Sequence, residues 1–211
     1  MDFAASTLVG VFDRLGLAVF AFAGVEVGVR RRLDVFGLLV MGVVTAAGGG
    51  VMRDVILGRL PLVLDRPDYL AYALGGSTVA IAAAWTPLEI PRNLVSFASA
   101  LGLGAFAAAG ALAGIHANLW FPAVVVLAIV TATGGGVLRD LMANRIPLVL
   151  RTEVNASAAG LGGTVLWAIE PWSAGAGAIA CVAVTAGLCT LGLTFGLHLP
   201  GPGGPVERSE D

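Results

Sequence analysis
The chain has 211 residues and a formal net charge of −2, with 57% hydrophobic and only 12% charged residues. A soluble domain carries about 25% charged residues, so half that share excludes an ordinary water-soluble domain and points to an integral membrane protein. All 12 basic residues are arginines and they form no basic face, which excludes nucleic acid as a partner.

About 20 apolar residues span a bilayer, and seven segments qualify in chain order. The first, 7–28, follows "MDFAAS", which lacks the positive leader of a signal peptide. It carries Asp13, Arg14 and Glu26, so it is expected to stay in the mature protein. "RRRLD" at 30–34 ends it. The second span, 35–57, contains "TAAGGGVMRD" from Thr45 to Asp54, and "LDRPD" at 64–68 leads to the third, 69–86. After "TPLEIPRN" come the fourth span, 94–115, and the fifth, 119–142, which carries "TATGGGVLRD" from Thr131 to Asp140. "LRTEVN" and "EPWS" bound the sixth, 154–170, and the seventh covers 174–198. In that last span Cys181 and Cys189 stand too far apart along a helix for a disulfide, and both are expected as buried small residues. His116 and His198 are expected at an interface or in the core. Residues 1–200 therefore form a single membrane domain, and the Pro/Gly-rich tail 200–211 is expected to be disordered.

A shift of 86 residues superposes the two glycine motifs, and residues 42–64 against 128–150 give 14 identities in 23. The same ungapped shift pairs "FAFAG" (20–24) with "FAAAG" (106–110), and "GSTV" (76–79) with "GGTV" (162–165). The chain is a duplication: repeat 1 covers about 7–86 and repeat 2 about 94–170, with a seventh helix added. Three spans per repeat is an odd number, so the repeats have inverted topology. The predicted fold is an all-α membrane protein of seven transmembrane helices, two inverted three-helix repeats plus one. The arginine distribution, "RRR" above all, puts the N-terminus outside and the C-terminus in the cytoplasm.

Three glycines in a row should interrupt a helix, since each costs about 1 kcal/mol against alanine. In hydrocarbon such a break is tolerated only against protein or a water-filled cavity. Gly48, Gly49 and Gly50 lie about 20 Å along a ~30 Å span, and Gly134, Gly135 and Gly136 reach a similar depth from the opposite face. Inverted-repeat proteins place their sites there. Arg53 and Asp54, like Arg139 and Asp140, are adjacent, so their side chains diverge by about 100° on a helix and are not expected to pair with each other. Two arrangements stand open: cross-pairing of Arg53 with Asp140 and Arg139 with Asp54 or lining of a polar passage, against helix-ending charges that snorkel to the interface. Thr45, Thr131 and Thr133 offer hydroxyls either to a pore or back to their own helix. Gly24 with Gly28, and Gly110 with Gly114, form aligned small-xxx-small patterns for helix packing. "GGGVLRD" lacks the Gly-Lys-Ser/Thr ending of a phosphate loop. With no nucleophile–base pair and no metal-ligand set, the chain is not expected to be an enzyme or to hold a metal or cofactor.

The paired "GGGVMRD…RLP" and "GGGVLRD…RIP", set in two three-span repeats with a seventh helix, resemble the trimeric intracellular cation (TRIC) channel family. The likeness is to its prokaryotic branch and the related bacterial glycine-transporter-domain family, over roughly residues 7–198. The resemblance implies a homotrimer in a bacterial inner membrane, contacting the lipid bilayer, with one potassium-permeable pore per subunit. It implies glycine kinks at Gly48–Gly50 and Gly134–Gly136 around that pore, with Arg53 and Arg139 as basic groups that take part in gating. The animal members' Lys-Glu-Val lipid motif is missing, since the chain has no lysine. The leading expectation is a passive potassium-permeable channel. The alternatives are a carrier for glycine or another small zwitterion, and a structural protein that transports nothing.

Overall fold
The computed structural model describes residues 3–86, 92–150 and 154–195; His198 and the tail 200–211 lie outside them. Among the described residues there is no strand, and seven long helices follow the expected spans: α1 Phe3–Arg30, α2 Val35–Ile56, α4 Pro67–Ala84, α5 Arg92–His116, α6 Phe121–Met142, α7 Asn155–Ile169 and α8 Ala174–Phe195. A one-turn α3, Leu62–Asp65, and a 3₁₀ turn, Leu148–Leu150, were not foreseen. They fold the two copies of "PLVL" back after the glycine-motif helices.

Local chemistry sets the helix limits. The Asp34 carboxylate accepts the Gly37 N–H at 2.7 Å and caps α2, and Pro67 opens α4 at its first position, where no N–H is needed. At the end of α2, Gly58 takes φ 65°. Its N–H returns to Val55 O at 3.0 Å and that of Arg59 to Asp54 O at 2.8 Å, the two bonds of a Schellman motif. In α6 the same motif turns on Asn144, φ 52°, with Arg145 N–H on Asp140 O at 3.0 Å.

Among the described residues four segments are long and apolar enough to cross a membrane: Val35–Ile56, Ser96–His116, Phe121–Met142 and Ala174–Gly192. Large apolar side chains such as Phe36, Trp85, Trp120 and Trp172 stand exposed on the outside, as lipid contact requires. The protein is an all-helical membrane protein. Without a hydrophobic drive between helices in lipid, close packing of small residues must hold them together. α5 is the central post. Ala105, Ala107, Ala108, Ala109 and Ala111 are buried on every side of it, and it packs against α1, α6, α7 and α8. Cys181 and Cys189 are buried and not joined in a disulfide, as expected.

The glycine triplets do not interrupt their helices, contrary to expectation: Gly48–Gly50 and Gly134–Gly136 lie within continuous α2 and α6. The propensity penalty is outweighed because these residues are where the two helices cross. A Cβ on Gly49 would fall on the Thr131 carbonyl oxygen, and a Cβ on Gly135 on that of Thr45. A Cβ on Gly48 would lie 2.7 Å from Leu138 Cδ1, and one on Gly134 2.7 Å from Met52 Sδ. The contacts are reciprocal under the 86-residue shift, the mark of an isologous pairing. Behind the crossing, Gly24 of α1 faces Thr45 and Gly110 of α5 faces Thr131. Gly28 packs on Leu38 and Gly114 on Val124 in the same two helix pairs.

Gly49→Ala and Gly135→Ala therefore overpack the crossing and are expected to cost about 1–3 kcal/mol or more. Gly75→Ala and Gly187→Ala, where a Cβ meets nothing within 4 Å, should gain up to about 1 kcal/mol. Thermal unfolding in detergent measures both; equal melting temperatures for the two pairs would remove the crossing from the stability argument.

Candidate functional site
The α2–α6 crossing is antiparallel, with Gly49 meeting Thr131 and Gly135 meeting Thr45. Continuing that register sets Arg53 opposite Leu127, so Asp140 lies roughly thirteen residues, about 20 Å of helix, from it. The cross-pairs Arg53–Asp140 and Arg139–Asp54 are out of reach and do not form. Each arginine instead turns back onto its own neighbour. Arg53 donates Nε to Asp54 Oδ1 at 2.8 Å and Nη2 to Oδ2 at 3.1 Å, and Arg139 donates Nε to Asp140 Oδ1 at 2.9 Å. The 100° divergence of Cα–Cβ directions is real, but an arginine side chain is long enough to double back across it.

The charges end their helices, but they do not snorkel. Arg53, Asp54 and Asp140 are buried. Each aspartate is completed by an N–H from the returning chain: Leu62 N–H to Asp54 Oδ2 at 2.9 Å, and Leu148 N–H to Asp140 Oδ2 at 3.0 Å. This is the work of the second "PLVL" leucine in neither copy and of the first in both. In repeat 2, Arg145 adds Nε and Nη2 to Asp140 Oδ1 at 3.0 and 2.6 Å.

The threonines take the back-bonded option. Thr45 donates to Met41 O and Thr131 to Leu127 O, both at 2.6 Å, and Thr133 to Ile129 O at 2.8 Å. Thr45 and Thr131 are buried, and their hydroxyls are engaged within their own helices.

A network in repeat 1 was missed from sequence. Asp13 is buried, takes a hydrogen bond from Tyr69 and lies near Arg53. Beside it, Arg14 donates Nε and Nη2 to Asp68 Oδ2 at 2.8 and 2.6 Å and lies 5.2 Å from the Tyr69 ring centroid. Among the described residues no buried side-chain nitrogen or oxygen lacks a partner. The available signal was a set of charges inside the first apolar run, which periodicity alone connects to nothing.

Asp13, Arg53 and Asp54 face a cavity of about 570 Å³, whose wall also includes Arg59, His116 and Glu170. It lies at the end of the bundle where α1 begins and α2 and α5 finish. Since α6 starts only five residues after α5 ends, the Asp140 cluster belongs to the opposite end. The two charge clusters thus flank the glycine crossing from either side. Chemically, the arrangement offers a cavity large enough for several waters or a small solute, paired charges rather than bare ones, and two helices whose contact is backbone on backbone.

The family model described as "Glycine transporter" matches the chain twice, over residues 10–85 and 96–171; both limits move by 86. A UPF0126 membrane protein of Deinococcus radiodurans is 41% identical over 162 residues, 75% of each chain. The UPF0126 inner membrane protein YadS of Escherichia coli is 38% identical over 159 residues, 75% of this chain and 77% of its own. Among solved structures, a TRIC cation channel studied for conductance superposes with a TM-score of 0.84 at 29% identity, covering 95% of this chain and 98% of that one. The TRIC orthologue from Rhodobacter sphaeroides gives 0.82 at 30% identity, covering 90% and 100%.

Asp54→Ala leaves the Arg53 guanidinium buried without its carboxylate, and should cost about 3–5 kcal/mol. Arg139→Ala leaves Asp140 held by Arg145 and Leu148, so its loss should stay near 1 kcal/mol. Chemical unfolding of purified protein in micelles reads the difference; similar losses for both would mean that Arg53 finds another partner.

Proposed function
The chain belongs to the glycine transporter family, and from that premise we propose that it is a cation channel of the bacterial inner membrane, permeable to potassium. The observation that carries this reading is the shared fold with TRIC cation channels along nearly the whole of both chains. In this reading all seven long helices span the bilayer as two inverted triplets plus α8, with the N-terminus outside and the C-terminus in the cytoplasm. Three copies assemble, each with its own pore beside the α2–α6 crossing. The glycine triplets are then the points where unbroken helices can bend, because no side chain stiffens the backbone there.

Arginines beside a cation path make sense in this geometry. Arg53 and Arg139 are each neutralised by the next residue, so a passing ion meets an oriented dipole rather than a free positive charge. Arg139 sets the barrier that can be tested, since its removal spares the fold. Arg139→Ala should raise potassium conductance about tenfold, the equivalent of some 1.4 kcal/mol off the barrier. Single-channel recording in planar bilayers under a potassium gradient checks this. No current from the parent protein would sink the channel reading, and an unchanged conductance would take Arg139 out of the path.

The family description favours a second reading, a carrier for glycine or another small zwitterion. The cavity supports it, since Arg59 could meet a carboxylate and Glu170 an ammonium group across one space. Saturable uptake of labelled glycine into proteoliposomes, without channel currents, would favour the carrier.

A further inference from the structure
The two ends of the bundle carry one backbone device with two different arginine arms. After α2, Gly58 at φ 65° sends the Arg59 N–H to Asp54 O, and Leu62 N–H meets Asp54 Oδ2. After α6, Asn144 at φ 52° does the same for Arg145, Asp140 and Leu148. Arg59 and Arg145 therefore leave the backbone from equivalent places. Their side chains then part. Arg145 lies across Asp140 with two nitrogens on Oδ1. The Arg59 side chain makes no hydrogen bond or ion pair among the described residues, is exposed, and lines the cavity.

The preceding arginine explains the difference. A carboxylate accepts about four hydrogen bonds. Asp140 receives one from Arg139, two from Arg145 and one from Leu148, and is full. Asp54 receives two from Arg53 and one from Leu62, so a place is left that Arg59 does not take. At the α6 end Arg145, with 28% of its side chain exposed, lies outside the buried Asp140; Asp54 is as well buried with no arm across it, so the arm adds a bond on the outer side of the pair rather than its burial. At the α2 end the arm is off, and the cavity reaches Asp54.

We propose that Arg145 is a latch closing the α6 end of the passage, and that Arg59 is the same latch released at the α2 end. The consequence for ion flow rests on the channel reading, while the latch itself rests only on the paired geometry. A partly exposed ion pair of this kind is weak enough to break and re-form thermally, as a latch must. Closing the α2 end requires only that Arg59 take the acceptor place that Asp54 still offers.

The test uses a reporter toward the α6 end. Ser99 is the repeat-2 counterpart of Asp13, which faces the α2-end cavity, so Ser99→Cys marks the equivalent position toward the α6 end. The native Cys181 and Cys189 are buried and stay silent to a small charged thiol reagent. In Ser99→Cys protein, adding Arg145→Ala should speed modification about tenfold, Arg145→Lys should keep it within about twofold by retaining the charge, and Arg59→Ala should leave it unchanged. Potassium flux is recorded on the same proteoliposomes. Faster labelling without flux in any variant keeps the latch and removes the channel. Equal labelling in parent and Arg145→Ala overturns the latch, whether or not the parent conducts. Arg145→Gln, which keeps the length but not the charge, repeats the comparison if the alanine variant fails to fold, and an unchanged rate there overturns it equally.

Discussion
The structure depends on one contact, the bare backbone of Gly49 against the Thr131 carbonyl and its mirror at Gly135 and Thr45. Ordinary helix pairs keep their axes 8–10 Å apart because side chains intervene; here none does on either helix at the point of crossing. That demand spreads outward. Thr45 and Thr131 are enclosed from behind by Gly24 and Gly110, where a Cβ would lie 2.5 and 2.6 Å from the threonine oxygens. Enclosed hydroxyls have to find an acceptor within their own helix, which is why both bond four residues back. A single close approach thus dictates the residue types on four helices.

One turn beyond the crossing lies the second constraint. A carboxylate in the last turn of a helix sits at the negative end of the helix dipole, an unfavourable place, and burial makes it worse. Asp54 and Asp140 are tolerated because each receives a guanidinium from the residue before it and a backbone N–H from eight residues after it. The aspartate is in effect the anchor that returns the chain after the helix. Both copies of "PLVL" follow the same anchor, and that is why they remain identical while the residues between, such as Leu57 and Ala143, differ.

Much of this was legible in the sequence, and the rest failed for identifiable reasons. Helix positions followed from apolar run lengths, and the duplication from an ungapped shift, because membrane helices must be long and apolar whatever surrounds them. The interruption at the glycines was wrong because propensity describes an isolated helix, whereas here the partner backbone fills the space that the missing side chains leave. The non-pairing of Arg53 with Asp54 was wrong because the 3.6-residue wheel fixes where a Cβ points, not where a flexible arginine ends. Asp13 and Tyr69 were invisible as partners. They are 56 residues apart in sequence, and no periodicity links a charge in α1 to a phenol in α4.

The repeats agree where the helices cross and diverge where the bundle meets its two surroundings. The positions equivalent to Asp13, Arg14, Asp68 and Tyr69 hold Ser99, Ala100, Val154 and Asn155, so the carboxylates, guanidinium and phenol of the repeat 1 network are not repeated there. Around the aspartates this leaves opposite balances: Arg53 faces both Asp13 and Asp54 at one end, while Asp140 faces both Arg139 and Arg145 at the other. A perfectly symmetric device would treat its two ends alike. The crossing cannot vary, because any side chain there collides with a carbonyl, so divergence was free to act only on the ends. The outcome is a symmetric centre between an end with surplus carboxylate and an end with surplus guanidinium, so the bundle carries a charge direction along its axis that the crossing alone does not have.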